Sequence, residues 1–119
     1  MNVLYSKVLE LYEKAVKNQR CERYDQAYEQ YKKVLSLTRR HKLHKNHPLE
    51  NLVYSTYKNV GQIYFAQADY SEAIKYFNKA LSFDNSDVLV TSKIADGYYQ
   101  LEKYRILSES SEPRNFIAF

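Results

Sequence analysis

A short phrase recurs along the chain at a spacing that leaves few folds open: Glu22-Arg23-Tyr24, Ala68-Asp69-Tyr70 and Glu102-Lys103-Tyr104. The second and third tyrosines stand 34 residues apart. The first and second stand 46 apart, which is the same period enlarged by an insertion of 12. A fixed period of this length marks supersecondary units that cannot bury an apolar face alone and must stack on copies of themselves.

The second unit shows what such a unit is made of. Tyr57, Val60, Gly61 and Tyr64 follow one another in steps of three and four, so they share one face of a helix. Tyr70, Ala73, Phe77 and Ala80 continue the pattern on a second helix. Gly61 and Ala73 are the small residues that let two antiparallel helices approach, with Tyr57, Tyr64, Tyr70 and Phe77 filling the space around them. Leu11, Ala15, Tyr24, Ala27 and Tyr31 hold equivalent places in a first unit, and Ile94, Ala95 and Tyr98 in a third. Ala15, Gly61 and Ala95 fall in one close-approach slot. The third unit lacks its second helix, since Leu107 stands where a small residue is required.

With only two glycines and two prolines in 119 residues, the chain has too few turn-makers for an all-β fold. The pattern predicts helices at about 2–20, 24–40, 48–67, 71–83 and 87–102, with an extra turn or two to about 110. Pro48 suits a first helical position. Ser71 with Glu72 suits the start of the fourth helix, and Asn85 or Ser86 the cap of the fifth. The chain divides into a repeat domain at 1–103, with units at about 8–40, 54–87 and a partial one at 88–103, a basic inserted loop at 39–49, and a truncated or disordered tail at 104–119. Phe116, Ile117 and Phe119 offer an alternative in which that tail folds back on the last helix. The face left open by the missing helix, carrying some of Ile94, Tyr98 and Leu101, predicts modest stability or self-association.

Period and positions together resemble tetratricopeptide repeat (TPR) proteins, which implies an all-α solenoid of helical hairpins, here about two and a half repeats. In such arrays the first helix of each pair lines a concave groove. By repeat position the residues free to contact a partner there are Tyr12 and Val16; Ser55, Lys58, Asn59, Gln62 and Phe65; and Lys93, Asp96 and Tyr99. Asn59 is the most informative, because a side-chain amide both gives and accepts a hydrogen bond and so suits the backbone of an extended segment. TPR co-chaperones that grip a C-terminal carboxylate use Lys and Asn in the first unit. Tyr12 and Val16 stand in those places, which argues against that role although Asn59 and Lys93 match.

Chemistry is sparse. Cys21 is the only cysteine and can form no internal disulfide, which fits a reducing compartment. His41, His44 and His47 are spaced for a metal but lack a carboxylate or thiol partner and sit among cations, so a solvated loop is expected. No oxyanion donor accompanies Cys21, and no Gly-rich phosphate loop or His-Glu-x-x-His motif occurs. An enzyme is not expected, nor a cofactor. The first residues do not read as a secretory signal, and no apolar run is long enough to span a membrane. Arg39, Arg40, Lys42 and Lys45 carry the whole excess of positive charge, since the remaining basic residues equal the 14 acidic ones. Such a loop suits phosphates or an acidic protein surface, though charge runs in loops are usually just solvated; without interleaved aromatic residues it is a poor fit to single-stranded nucleic acid.

A closer resemblance lies in His47-Pro48, Tyr54-Ser55-Thr56-Tyr57-Lys58-Asn59, the long basic insertion before them, and Leu81-x-x-Asp84-x-Ser86-Asp87-Val88. These are similar to the N-terminal TPR region of the calcineurin-binding protein cabin family. That resemblance covers about residues 8 to 99. It implies a nuclear scaffold of a HIRA-type histone-chaperone complex, with partners among its subunits or histone-related proteins. The chain departs from that family's continuing repeats after Tyr104. The alternative is a cytosolic TPR adaptor for a peptide, chaperone or transport partner.

Overall fold

The computed structural model of the chain describes residues 3–40 and 48–110. Among these, five helices follow one another: α1 (Val3–Arg20), α2 (Tyr24–Arg40), α3 (Glu50–Ala66), α4 (Tyr70–Leu81) and α5 (Val88–Ser110). α1 pairs with α2 and α3 with α4, while α5 lies against α4. The architecture is an all-α array of helical hairpins.

The tyrosine phrase marks the turn inside each of the first two hairpins. Glu22 and Ala68 have φ of 59° and 62°, the left-handed conformation that usually calls for glycine. Around the first, the Arg23 amide donates to the Asn18 carbonyl and the Glu22 amide to that of Gln19. Around the second, Asp69 donates to Tyr64 and Ala68 to Phe65 in the same pattern. Two donors thus close the last turn of each first helix, and the chain reverses within three residues. Asp69 also caps α4, its carboxylate accepting the Glu72 amide at 3.4 Å, ahead of Ser71. Because alanine strains in this conformation and glycine does not, Ala68→Gly should raise stability by up to about 1 kcal/mol. Chemical denaturation checks this, and an unchanged or lower midpoint would contradict the assigned turn.

At the third phrase the chain does not turn. α5 runs through Glu102 and Tyr104 to Ser110, past the domain boundary at 103 and through the extra turns expected to about 110. A left-handed residue here would cost energy with no second helix gained, because Leu107 cannot nest where Ala27 and Ala73 do. Arg105 pairs instead with Glu102 and Glu109, one turn away on either side, and supports the continuing helix. Tyr104 stacks on Tyr70, with ring centroids 6.2 Å apart. Residues 111–119, with Phe116, Ile117 and Phe119, lie outside the described residues.

Three apolar clusters hold the array together. Ala15, Ala27, Tyr31, Val60 and Ile63 join the two hairpins; Val8, Val34 and Leu49 close the N-terminal end; Ala73, Phe77 and Val90 seat α5. Pro48 falls two residues before α3 rather than at its first position, because Leu49 is drawn into the second cluster. The buried hydroxyls of Thr38 and Thr56 donate to carbonyls one turn back, at Val34 and Leu52, so neither is left unsatisfied.

The close-approach slot is Gly61. A Cβ placed there would sit 2.7 Å from Cδ1 and Cε1 of Phe77, which is 1% exposed. The third member of the slot, Ala95, is exposed. On α5 the buried small residue is Gly97, where an added Cβ would meet Ile74 of α4 at 3.0 Å. The 34-residue period describes contacts inside a hairpin, and among the described residues α5 has none; Gly97 serves the contact between successive units instead. Ile94 and Leu101 lie half-buried on the α4 side, while Tyr98 is 58% exposed.

Candidate functional site

Four of the expected groove residues come together. Tyr12 and Val16 from α1 and Asn59 and Gln62 from α3 line a concavity of about 560 Å³, completed by Gln19, Arg20 and Tyr24. They meet because residues one turn apart on α1 and on α3 share a face, and the two first helices lie side by side. Asn59 Nδ2 donates to Tyr12 Oη at 3.3 Å, which fixes the amide across the gap between the repeats. Beneath them Tyr31 donates to Gln19 Oε1 at 2.7 Å. Burial, and then the neighbouring Tyr12, push the Tyr31 phenol well above its usual range, so it remains a neutral donor. The floor is therefore a network of hydroxyls and amides, able to match a peptide backbone without burying an unpaired charge.

Gln19, Arg20 and Tyr24 join the site without being marked by repeat position. Gln19 and Arg20 stand one turn beyond Val16 and so continue its face, a signal present in the sequence; Tyr24 reaches the site only through the left-handed turn at Glu22. Arg20, Tyr12 and Val16 also border a second hollow of about 530 Å³ with Glu13, Lys17 and the exposed Cys21.

Other expected groove residues are engaged elsewhere. Lys58 is held by Asp87, its Nζ 3.0 Å from Oδ2, and the Tyr54 hydroxyl donates to the same carboxylate. The other oxygen, Oδ1, accepts the Val90 amide at 3.2 Å, so the cap of α5 is Asp87 rather than Asn85 or Ser86. Phe65 lies inside the α3–α4 hairpin, edge-on to Tyr70 at 5.0 Å and packed on the Phe77 cluster. Lys93 sits over the Phe65 ring, its Nζ 4.6 Å from the centroid, which a helix-wheel reading of α5 alone does not reveal. Lys58, Gln62 and Lys93 do border a smaller hollow of about 160 Å³ together with Leu89 and Ser92. Ser55 is half-buried one turn before Asn59, and Asp96 and Tyr99 are exposed on α5, Tyr99 at 66%.

Arg39 and Arg40 close α2 and are exposed. Lys42, Lys45, His41, His44 and His47 lie outside the described residues. Among the described residues no group of His, Cys, Asp and Glu is placed to hold a metal ion, and no helix is long and apolar enough to cross a membrane.

Comparison with curated proteins gives no match. Residues 54–87 match the tetratricopeptide repeat family. The matched segment runs from Tyr54 in α3, through the Ala68 turn and α4, to the Asp87 cap of α5, and this hairpin is a tetratricopeptide repeat in an all-α array of its kind.

Proposed function

We propose that the chain is a protein-interaction scaffold that holds an extended polypeptide along the face formed by α1, α3 and α5. The observation that carries this reading is the hollow shared by Tyr12, Val16, Asn59 and Gln62, with its hydroxyl and amide floor bridging two successive units. Tetratricopeptide repeats act in general as protein-binding modules, and the repeat at 54–87 supplies one wall of this hollow. An amide fixed by Tyr12 is preorganised for a backbone, which lowers the ordering cost of binding.

The resemblance of residues 47–59 and 81–88 to the cabin family supports a finer reading: a nuclear piece of a HIRA-type histone-chaperone assembly. The exposed Arg39 and Arg40 would then meet an acidic partner surface. A cytosolic adaptor for peptide, chaperone or transport partners is the second reading, favoured by the general-purpose polar floor. Affinity capture with the full chain from separated nuclear and cytosolic extracts tests both. Recovery of HIRA-type subunits from the nuclear fraction is expected; recovery of chaperone or transport proteins alone would replace the first reading by the second. Asn59→Ala should weaken capture about fivefold, the value of a single hydrogen bond of about 1 kcal/mol, with the chain still folded and its thermal transition lowered only by loss of the bond to Tyr12. Equal capture would remove Asn59 from the contact surface.

A further inference from the structure

Both hairpins are built on one pairing rule, and α5 carries the same motif with its face uncovered among the described residues. In the α3–α4 hairpin, a small residue followed at three and four positions by aromatic rings appears on each helix: Gly61, Tyr64, Phe65 and Ala73, Tyr76, Phe77. The two copies meet antiparallel about a local pseudo-two-fold. Gly61 lies under the Phe77 ring, Phe65 packs against the cluster of Ala73 and Phe77, and Tyr64 stacks on Tyr76 at 5.6 Å with planes 20° apart. The α1–α2 hairpin uses the same register with other chemistry. Ala15 and Ala27 are buried with Tyr31, Asn18 donates to Gln30 at 2.7 Å where Tyr64 meets Tyr76, and Tyr31 reaches Gln19.

On α5 the motif reads Ala95, Tyr98, Tyr99, and each of the three is exposed. Thr91, the counterpart of Tyr57 in the period of 34, is exposed as well. Every position at which α3 receives α4 thus has an open equivalent on α5, on a side turned away from α4. Because the pairing joins two copies of one motif about a pseudo-two-fold, a helix bearing that motif is complementary to itself.

We propose that this face binds the α5 helix of a second copy of the chain, antiparallel and about a true two-fold axis. Ala95 then lies under Tyr99 of the second copy, Tyr98 stacks on its own symmetry mate, and Tyr99 covers Ala95 in return. The same register sets Glu102 opposite Ser92 and Lys103 opposite Thr91, so no like charges face each other across the axis. The area is small. An aromatic side chain buries about 150–250 Å², and Tyr98 and Tyr99 are 58% and 66% exposed. The pair offers roughly 200–300 Å² per chain, well short of the ~800 Å² per partner of a stable complex even with Val88 and Thr91 added. The dimer is therefore weak and concentration-dependent, and it leaves the Tyr12 and Asn59 hollow open.

Light scattering of the full chain, over roughly 10 µM to 1 mM, tests this independently of any groove ligand. The mass should rise toward twice the monomer. Tyr98→Glu and Tyr98→Lys chains, which keep their helix content because the position is exposed, should each stay monomeric, since like charges then meet on the axis. An equal mixture of the two should regain dimer. A parent chain monomeric throughout, variants that associate as the parent does, or a mixture that stays monomeric would each overturn the proposal.

Discussion

A Gly61→Leu chain is expected to lose about 3 kcal/mol of stability, a fall in melting temperature of roughly 10 °C or more for a domain of this size. Even Gly61→Ala should destabilise, against the general rule. Alanine is favoured over glycine inside a helix by about 0.8–1.0 kcal/mol, so removing a helical glycine ordinarily helps. Here the added Cβ would meet two ring carbons of Phe77 at 2.7 Å, and that ring, 1% exposed and packed with Ala73 and Val90, would have to shift. The steric term exceeds the propensity gain and reverses its sign. Phe77→Leu introduced into the Gly61→Ala chain should recover part of the loss, which a double-mutant cycle reads as a coupling between the two positions. Additive effects would mean that the helices do not meet at this point.

Asp87→Ala is expected to cost about 2–3 kcal/mol. One carboxylate oxygen caps α5 through the Val90 amide, worth about 1 kcal/mol. The other accepts the Tyr54 hydroxyl and the Lys58 ammonium, and it ties α3 to the next unit. Charge-assisted bonds of this kind contribute about 1.5–3 kcal/mol, here reduced because Lys58 is partly solvated. The Tyr54 hydroxyl, and after it Lys58 and the Val90 amide, hold the Asp87 carboxyl down to about 2, against an ordinary value near 3.8; burial opposes them. The folded-state value lies below the unfolded one, so this contribution is complete only above about pH 5 and is lost as pH falls toward 2. Urea midpoints measured from pH 6 to pH 2 should show that acid limb in the parent chain. Its slope should be shallower in Asp87→Asn, and an identical slope would remove Asp87 from the linkage.

Much of the fold is legible in the sequence because its determinants are local and repeated. Small residues and tyrosines recurring at 34 residues locate the helices and the nesting of Gly61 on the following helix. Three features escape for physical reasons. The turns at Glu22 and Ala68 use exposed left-handed residues without the usual glycine, and they are closed by backbone hydrogen bonds that the residue types do not display. The last helix passes the repeat boundary at 103 and takes up the extra turns to about 110, since Arg105 pairs with Glu102 and Glu109 where a second helix has no small residue to dock. Gly97 rather than Ala95 is buried, because the contact between units follows a different face from the contact within them.

The candidate site divides along the same line. Tyr12, Val16, Asn59 and Gln62 follow from repeat position, which encodes which face of a first helix looks into the hollow. Lys58 and Lys93 look like free cations in the sequence because their partners, Asp87 and the Phe65 ring, belong to distant stretches of chain. Arg20 and Tyr24 enter through the turn geometry, and they leave the hollow with a guanidinium at its edge that the repeat pattern does not record.

Photo-crosslinking with a benzophenone side chain at Gln62, in the hollow, and at Lys75, exposed on α4, addresses the scaffold reading most directly. With the captured partner present, adducts are expected from position 62 and none from position 75. Adducts from position 75 alone, or equally from both, would show that the guest polypeptide does not lie along the first helices.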